Sequence, residues 1–452
     1  MRIIIAGCGE MGFHLSKLLA KEEHDIVIID KDPDVLTQAD ILDVISIVGS
    51  ATSYKVLEQA NIKSTDLLIA VTESEETNMI SCTIGKHLGV KKTIARISNS
   101  DFIHRKDAFD LSSVGIDEVI FPEALAAKEI RKLLKESAAI TTFDFEGGLL
   151  EFIGIPIGKD SVLNGKSLKE TNYLNPDNNF TPVAILRDVE DVVKNKTIIP
   201  RADDIFEASD HAYFVAERDG GVDRVLALSG KKQYNIKDLM IYGGGPMAFV
   251  TAKHLSKKYK IKLIEEDRNR CEEIAAAIPN IMVLNGSGTN LEFLMKENLE
   301  YMDAFLSLTG ETEKNILAAL AAKETGIKKV IALVGNIEYI PLSQNMGVDT
   351  LINKKLIAAD FISKHIKKGE LLDLHSIHGL DADVIELKVN ENSAICNKKI
   401  GDLEFPKDAV VGGVIRNNRP KTVRGDFVFE NDDKVVVMCL KESKKIVQSL
   451  FR

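Results

Sequence analysis

Arg2–Gly12 reads RIIIAGCGEMG, and Ile26–Asp30 reads IVIID. Far downstream the pattern returns: Leu239–Ala248 reads LMIYGGGPMA, and Ile261–Glu266 reads IKLIEE. The first glycines, Gly7 and Gly243, and the acids, Asp30 and Glu266, share an offset of 236 residues. Each copy spells a strand, a glycine-rich turn, a helix and a second strand ending in an acid. That is the dinucleotide-binding fingerprint. An enzyme needs one such module beside a catalytic domain, so two in one chain point to a sensor.

The repeat runs on past the fingerprint. Gly49–Thr52 (GSAT) matches Gly286–Thr289 (GSGT), and Thr72–Asn78 (TESEETN) matches Thr309–Asn315 (TGETEKN), now at an offset of 237. Lys91–Ala95 (KKTIA) matches Lys328–Ala332 (KKVIA). A fixed offset over such a length implies duplication of a whole domain, not of a solenoid unit.

Composition sets the bounds. At 452 residues the length prior is roughly three or four domains. A net charge of −10, with no basic tract, argues against generic nucleic-acid binding. Cys8, Cys82, Cys271, Cys396 and Cys439 are too far apart in sequence for metal-ligand spacing or a disulfide framework, which fits a reducing cytoplasm. No apolar run approaches the ~20 residues that span a bilayer, so any membrane role comes through a partner.

The expected fold class is α/β. Two Rossmann-like, doubly wound parallel-sheet domains are each followed by a connecting helix and a small α+β domain. Strands are expected at Arg2–Ala6, Ile26–Ile29, Val44–Val48, Leu67–Val71, Thr93–Ile97 and Glu118–Phe121. Most read as apolar runs buried on both faces. Pro122–Ser137 and Asn353–Gly369 are the connecting helices. Beyond them Val183–Arg187 parallels Gly412–Arg416, and Arg201–Val215 parallels Arg424–Met438. The boundaries follow as 1–137, 138–229, 230–370 and 371–452, with Ser229–Lys237 as the linker between halves.

Gly7, Gly9 and Gly12 allow a tight turn, close approach of phosphate and close helix packing, and the helix start at Glu10 and Met11 offers N–H groups to a pyrophosphate. Asp30 is placed to accept from ribose hydroxyls and to repel a 2′-phosphate, or else to cap its own turn. Gly49, Ser50 and Thr52 follow the third strand, and Thr72 and Glu73 the fourth; they line the crevice or serve as ordinary turn and cap residues. Arg96 stands on an apolar strand, to meet phosphate or to pair with an acid such as Asp117. Glu10 disfavours a triphosphate, or is a solvent-facing acid beside a helix start.

The second site carries Gly243, Gly245, Met247, Glu266, Gly286, Ser287 and Thr309. It is less complete, because Pro246 removes an N–H, Ala248 replaces a glycine and Leu333 stands in place of Arg96. His375 and His378 lack companions for a metal site and read as solvated turn residues. No nucleophile motif, phosphate-binding lysine loop or paired catalytic acids appear.

The residues Gly7-Cys8-Gly9-Glu10-Met11-Gly12, Asp30, the GSAT turn at Gly49, Val71–Asn78 (VTESEETN) and Ala95-Arg96 resemble the tandem RCK-domain family of bacterial potassium uptake regulators. The resemblance covers the whole chain. It implies a chain without catalytic activity, in a homo-oligomeric ring, expected to be a tetramer, beneath a Trk-type membrane potassium transporter at the inner face of the cell membrane. It also implies that the connecting helices pair domains and that nucleotide changes ring shape. NAD(H) is the first expectation, and ATP or ADP the alternative, above all at the second site. The rival reading is an NAD-dependent oxidoreductase, which needs a positioned acid/base that the small domains do not display.

Overall fold

The computed structural model describes residues 1–20, 24–98, 110–136, 139–187, 196–230, 234–335, 347–366, 371–377 and 380–452. Strands β1 (Arg2–Ala6), β2 (Asp25–Asp30), β3 (Ile45–Val48), β4 (Leu67–Ala70), β5 (Lys92–Arg96) and β6 (Glu118–Ile120) form one sheet of order β3-β2-β1-β4-β5-β6. All pairings are parallel. The order reverses between β1 and β4, so a crevice opens at their carboxyl ends, where ligands of such sheets bind. The central strands β1 and β4 are buried apart from Arg2 at the start of β1. At the edge, Ile45 and Val48 of β3 are exposed, which departs from the expected burial on both faces.

The helix Glu10–Ala20 rises directly from the first glycine turn. Its Met11, Leu15 and Leu19 recur at helical spacing and pack on Ile3, Ile5 and Ile28 of β1 and β2. Each such side chain contributes ~1.5–3 kcal/mol by leaving water.

Strands β7 (Thr141–Phe145), β8 (Leu150–Pro156), β9 (Phe180–Arg187), β10 (Lys196–Ile198) and β11 (His211–Glu217) make an antiparallel sheet of order β10-β9-β11-β8-β7. The second half repeats the plan. Strands β12 (Asp238–Tyr242), β13 (Lys260–Glu265), β14 (Met282–Asn285), β15 (Ala304–Ser307), β16 (Lys329–Leu333) and β17 (Thr350–Ile352) form a parallel sheet of order β14-β13-β12-β15-β16-β17. Strands β18 (Leu371–Ser376), β19 (Ala382–Lys388), β20 (Ala409–Arg416), β21 (Arg419–Lys421) and β22 (Lys434–Leu440) follow as β18-β19-β22-β20-β21, the topology of the first small sheet. The helices Gly221–Leu228 and Lys444–Leu450 close the two small lobes.

The weak match between the small lobes has a physical basis. Arg187 forms a bidentate pair with buried Asp210, reaches Glu207 and donates to the Ile205 carbonyl. Arg416 does the same with Asp433, Glu430 and the Val428 carbonyl. Two lobes with one clamp and one strand order are copies of each other.

The connecting helices are observed at Pro122–Lys135 and Lys354–Ile366. Ser137 and Gly369, at the expected ends, lie outside the described residues, as do residues 231–233 of the expected linker. Compactness divides the chain otherwise than by halves: Met1–Ala127 with Asn353–Ile366 is one unit, and Lys128–Ile352 with Lys367–Arg452 the other. In the first unit, Ala358, Ala359, Ile362 and Ile366 share a core with Leu15 and Leu19. In the second, Phe145, Phe152 and Val215 of one small lobe share a core with Val384, Val436 and Met438 of the other.

Candidate functional site

Each glycine turn follows the central strand of its sheet. Gly7 has φ +105° and Gly243 φ +110°, in the region glycine alone enters cheaply. A Cβ on Gly7 would lie 2.9 Å from the Thr72 nitrogen, and one on Gly12 would strike the Gly7 carbonyl. Gly7 and Gly12 are therefore glycine for internal packing. Gly9 differs, because a Cβ there would meet nothing within 4 Å, and the same holds for Gly245. Both turns thus leave open space over the backbone where the first helical N–H groups have no intrahelical partner. That arrangement suits an anion such as a pyrophosphate.

Asp30 ends β2 and faces the first turn. Its Oδ2 accepts from the Cys8 N–H at 2.6 Å and its Oδ1 from the Asp32 N–H at 3.1 Å. Burial, with the Asp30 charge, pushes the Cys8 thiol up to about 11, so this cysteine stays protonated and packs. Ser50 Oγ and Thr52 Oγ1 are 2.8 Å apart in the turn after β3.

After β4, Thr72 is held by Asn78: its N–H and hydroxyl both reach Asn78 Oδ1, at 2.8 and 2.7 Å. The Asn78 amide donates in turn to the carbonyls of Thr72 and Arg96. One buried amide thus joins the ends of β4 and β5. Asn315 does the same for Thr309 and Leu333. Sequence reasoning quoted both asparagines and missed this work. Their matching position in TESEETN and TGETEKN was the available signal. Glu73 is exposed beside Thr72.

Asp117 pairs with Lys86 at 2.7 Å and accepts from Thr93, so it is not the partner of Arg96. Arg96 makes one long contact, Nη1 to the Thr72 carbonyl at 3.5 Å, and pairs with no carboxylate among the described residues. Glu10 is exposed at the start of its helix, and its carboxylate also meets the ammonium of Lys355.

In the second turn the strand register corrects one equivalence. Gly7 N–H bonds the Ile29 carbonyl and Gly243 N–H the Ile264 carbonyl; Gly49 N–H bonds the Asp30 carbonyl and Gly286 N–H the Glu265 carbonyl. Glu265, not Glu266, therefore occupies the place of Asp30. Its carboxylate also accepts from Asp267 N–H, as Asp30 does from Asp32. Glu266 instead accepts from Tyr242 Oη at 2.9 Å and Ser287 Oγ at 2.7 Å, and these bonds hold its carboxyl below the usual range.

Tyr242 stands where the first half has Ala6. Its ring lies flat on Gly288, where a Cβ would come within 2.1 Å of it. Burial and Glu266 push its phenol up. Pro246 occupies the first helical position of Pro246–Leu255, where an N–H has no intrahelical partner in any case. Met247 and Ala248 are buried beneath that turn. Arg270 donates to the Gly244 carbonyl at 2.8 Å and covers Phe249.

His375 is not a solvated turn residue. It lies on β18, stacked on Phe143 at 3.7 Å and bonded to Asp373 at 3.1 Å. His378 lies outside the described residues. Among the described residues no group of three or more potential ligands could hold a metal, and no helix is long and apolar enough to cross a membrane.

Two Rossmann-type domains with open glycine turns, each followed by a small antiparallel lobe, define the class of this chain: a tandem repeat of Rossmann-type domain and small lobe. The TrkA-N domain model matches residues 3–122 and again 239–354, and the TrkA-C domain model matches 384–450. The Trk system potassium uptake protein TrkA of Halomonas elongata is 31% identical over 458 residues, all of this chain and 99% of that one. TrkA homolog 1 of Methanosarcina mazei is 32% identical over 461 residues, covering both chains fully. The chain belongs to the TrkA family. In fold it resembles the GsuK channel, at TM-score 0.60 and 14% identity, covering 99% of this chain and 78% of that one. The GsuK channel bound to NAD gives TM-score 0.58 at the same identity and coverage.

Proposed function

We infer that this chain is a non-catalytic regulatory subunit of a Trk-type potassium uptake system, and that NAD(H) bound at the first glycine turn sets its conformation. The observation that carries this reading is the pair of Rossmann domains on a chain that aligns end to end with TrkA proteins. Gly9 keeps the approach to the turn open, and Asp30 stands at the strand end where a ribose carboxylate belongs. Bound dinucleotide supplies a charge and a shape, not a reaction.

Gating of this kind is a ligand-biased equilibrium and needs different affinities for two states. The ring, expected to be tetrameric, works through a membrane partner at the inner face of the cell membrane. The candidate site residues of the first turn, including Ser50, Thr52, Thr72, Glu73 and Arg96, are the proposed contacts. Those of the second turn are proposed for ADP or ATP. Nucleotide retained on purification, identified by mass spectrometry, tests the assignment. Calorimetry with NADH, NADPH, ATP and ADP then ranks the ligands. Sustained NADH turnover with a panel of oxo-acids would favour the oxidoreductase instead.

A further inference from the structure

The helix Lys354–Ile366 comes from the second half of the sequence, yet it packs in the core of the first nucleotide domain. Asn353 caps its start, accepting from the N–H groups of Lys355 and Leu356. Its first two residues are lysines with different settings. Lys354 meets Glu123 at 2.5 Å, and that carboxylate is buried. Removing Lys354 strands the buried Glu123 carboxylate, so this contact fixes the helix. Lys355 meets Glu10, and this pair is partly exposed. An exposed pair contributes little and exchanges readily with another anion.

Glu10 is the first residue of the helix that starts at the open glycine turn. A carboxylate at that point repels an arriving pyrophosphate. The cation that offsets it is absent from the first half's own turn and arrives on a helix 345 residues away in sequence. We propose that Lys355 is a phosphate-binding residue of the first nucleotide site, its ammonium shared between Glu10 and the diphosphate of the ligand. The site is then assembled from both halves of the chain, and nucleotide tightens the hold of the second-half helix on the first domain. By linkage, whatever displaces that helix weakens nucleotide by the same factor. This rests on the dinucleotide reading of the first turn.

The test is calorimetry on the full-length chain with NADH and with adenosine, which has the ribose and base but no phosphate. Lys355→Ala is expected to weaken NADH about tenfold, a typical loss for a charged hydrogen bond, and to leave adenosine unchanged. Lys355→Arg restores NADH binding, and Glu10→Gln tightens it. Raising salt weakens NADH for the parent more than for Lys355→Ala. If Lys355→Ala leaves NADH within twofold of the parent, or weakens both ligands equally, Lys355 is structural and the proposal falls. If the parent binds neither ligand, the dinucleotide reading itself falls.

Discussion

At the scale of single residues, the two turns differ in what guards them. Asp30 in the first accepts from the N–H groups of Cys8 and Asp32, with no side chain among the described residues laid across it as Tyr242 lies across Gly288 in the second. Asp30→Ala is expected to weaken NADH binding by about 1–3 kcal/mol, the scale of a charge-assisted hydrogen bond. It should also narrow the preference over NADPH, which calorimetry with both dinucleotides reads; equal affinities in the parent would remove Asp30 from the ribose. Beside the second turn the Tyr242 ring lies on Gly288 in the loop after β14, tied through Glu266 to Ser287. Titration of the parent should therefore show two unequal classes of site. Tyr242→Ala should strengthen the weaker class, provided melting shows the variant folded. The glycine spacing was legible in the sequence because each glycine answers a backbone need visible as spacing. The equivalence of Glu265 with Asp30 was not. The second repeat is one residue shorter between turn and strand end, and adjacent acids at 265 and 266 conceal the slip. Tyr242 and Lys355 were invisible for another reason: what they touch is fixed by packing.

At the scale of elements, apolar runs gave the strands of the first nucleotide sheet to within a residue or two, because buried parallel strands have little else in them. The small lobes were harder, since half of each strand faces a neighbouring sheet and alternation is lost. Their clamp pairs, Arg187 with Asp210 and Arg416 with Asp433, lie far apart in sequence and became visible only as geometry. Strand β8 carries a testable strain of the same origin. Glu151 is buried, and burial pushes its carboxyl up; Lys132 and Arg218 offset this in part, while Glu136 and Asp144 add to it. A raised folded value favours the neutral acid. Its stabilising effect is complete below the unfolded value of about 4.3 and is lost as pH rises through the folded one. Glu151→Gln keeps the shape and removes the titration. The variant's melting temperature should exceed the parent's increasingly as pH rises from about 4.5 to about 7. A gap that stays constant across that range would show that Glu151 carries no such penalty.

At the scale of the whole molecule, duplication explains why one chain carries two crevices and two clamps, and the sequence displayed it directly through its offsets. What the offsets could not show is that the second connecting helix belongs to the first compact unit. A helix from the second half thus completes the core of the first nucleotide domain. By family resemblance the protein should purify as an oligomer, most simply a tetramer. It should co-purify with a Trk-type potassium transporter, and NADH or NAD should change potassium flux through the reconstituted pair. Flux must shift at nucleotide concentrations near the calorimetric dissociation constant, because the ligand can bias the equilibrium only by its differential affinity for the two states. Asp30→Ala should move the flux midpoint by the factor it costs in binding. A chain that is monomeric, engages no transporter and turns over NADH alone would replace the regulatory reading with the oxidoreductase one.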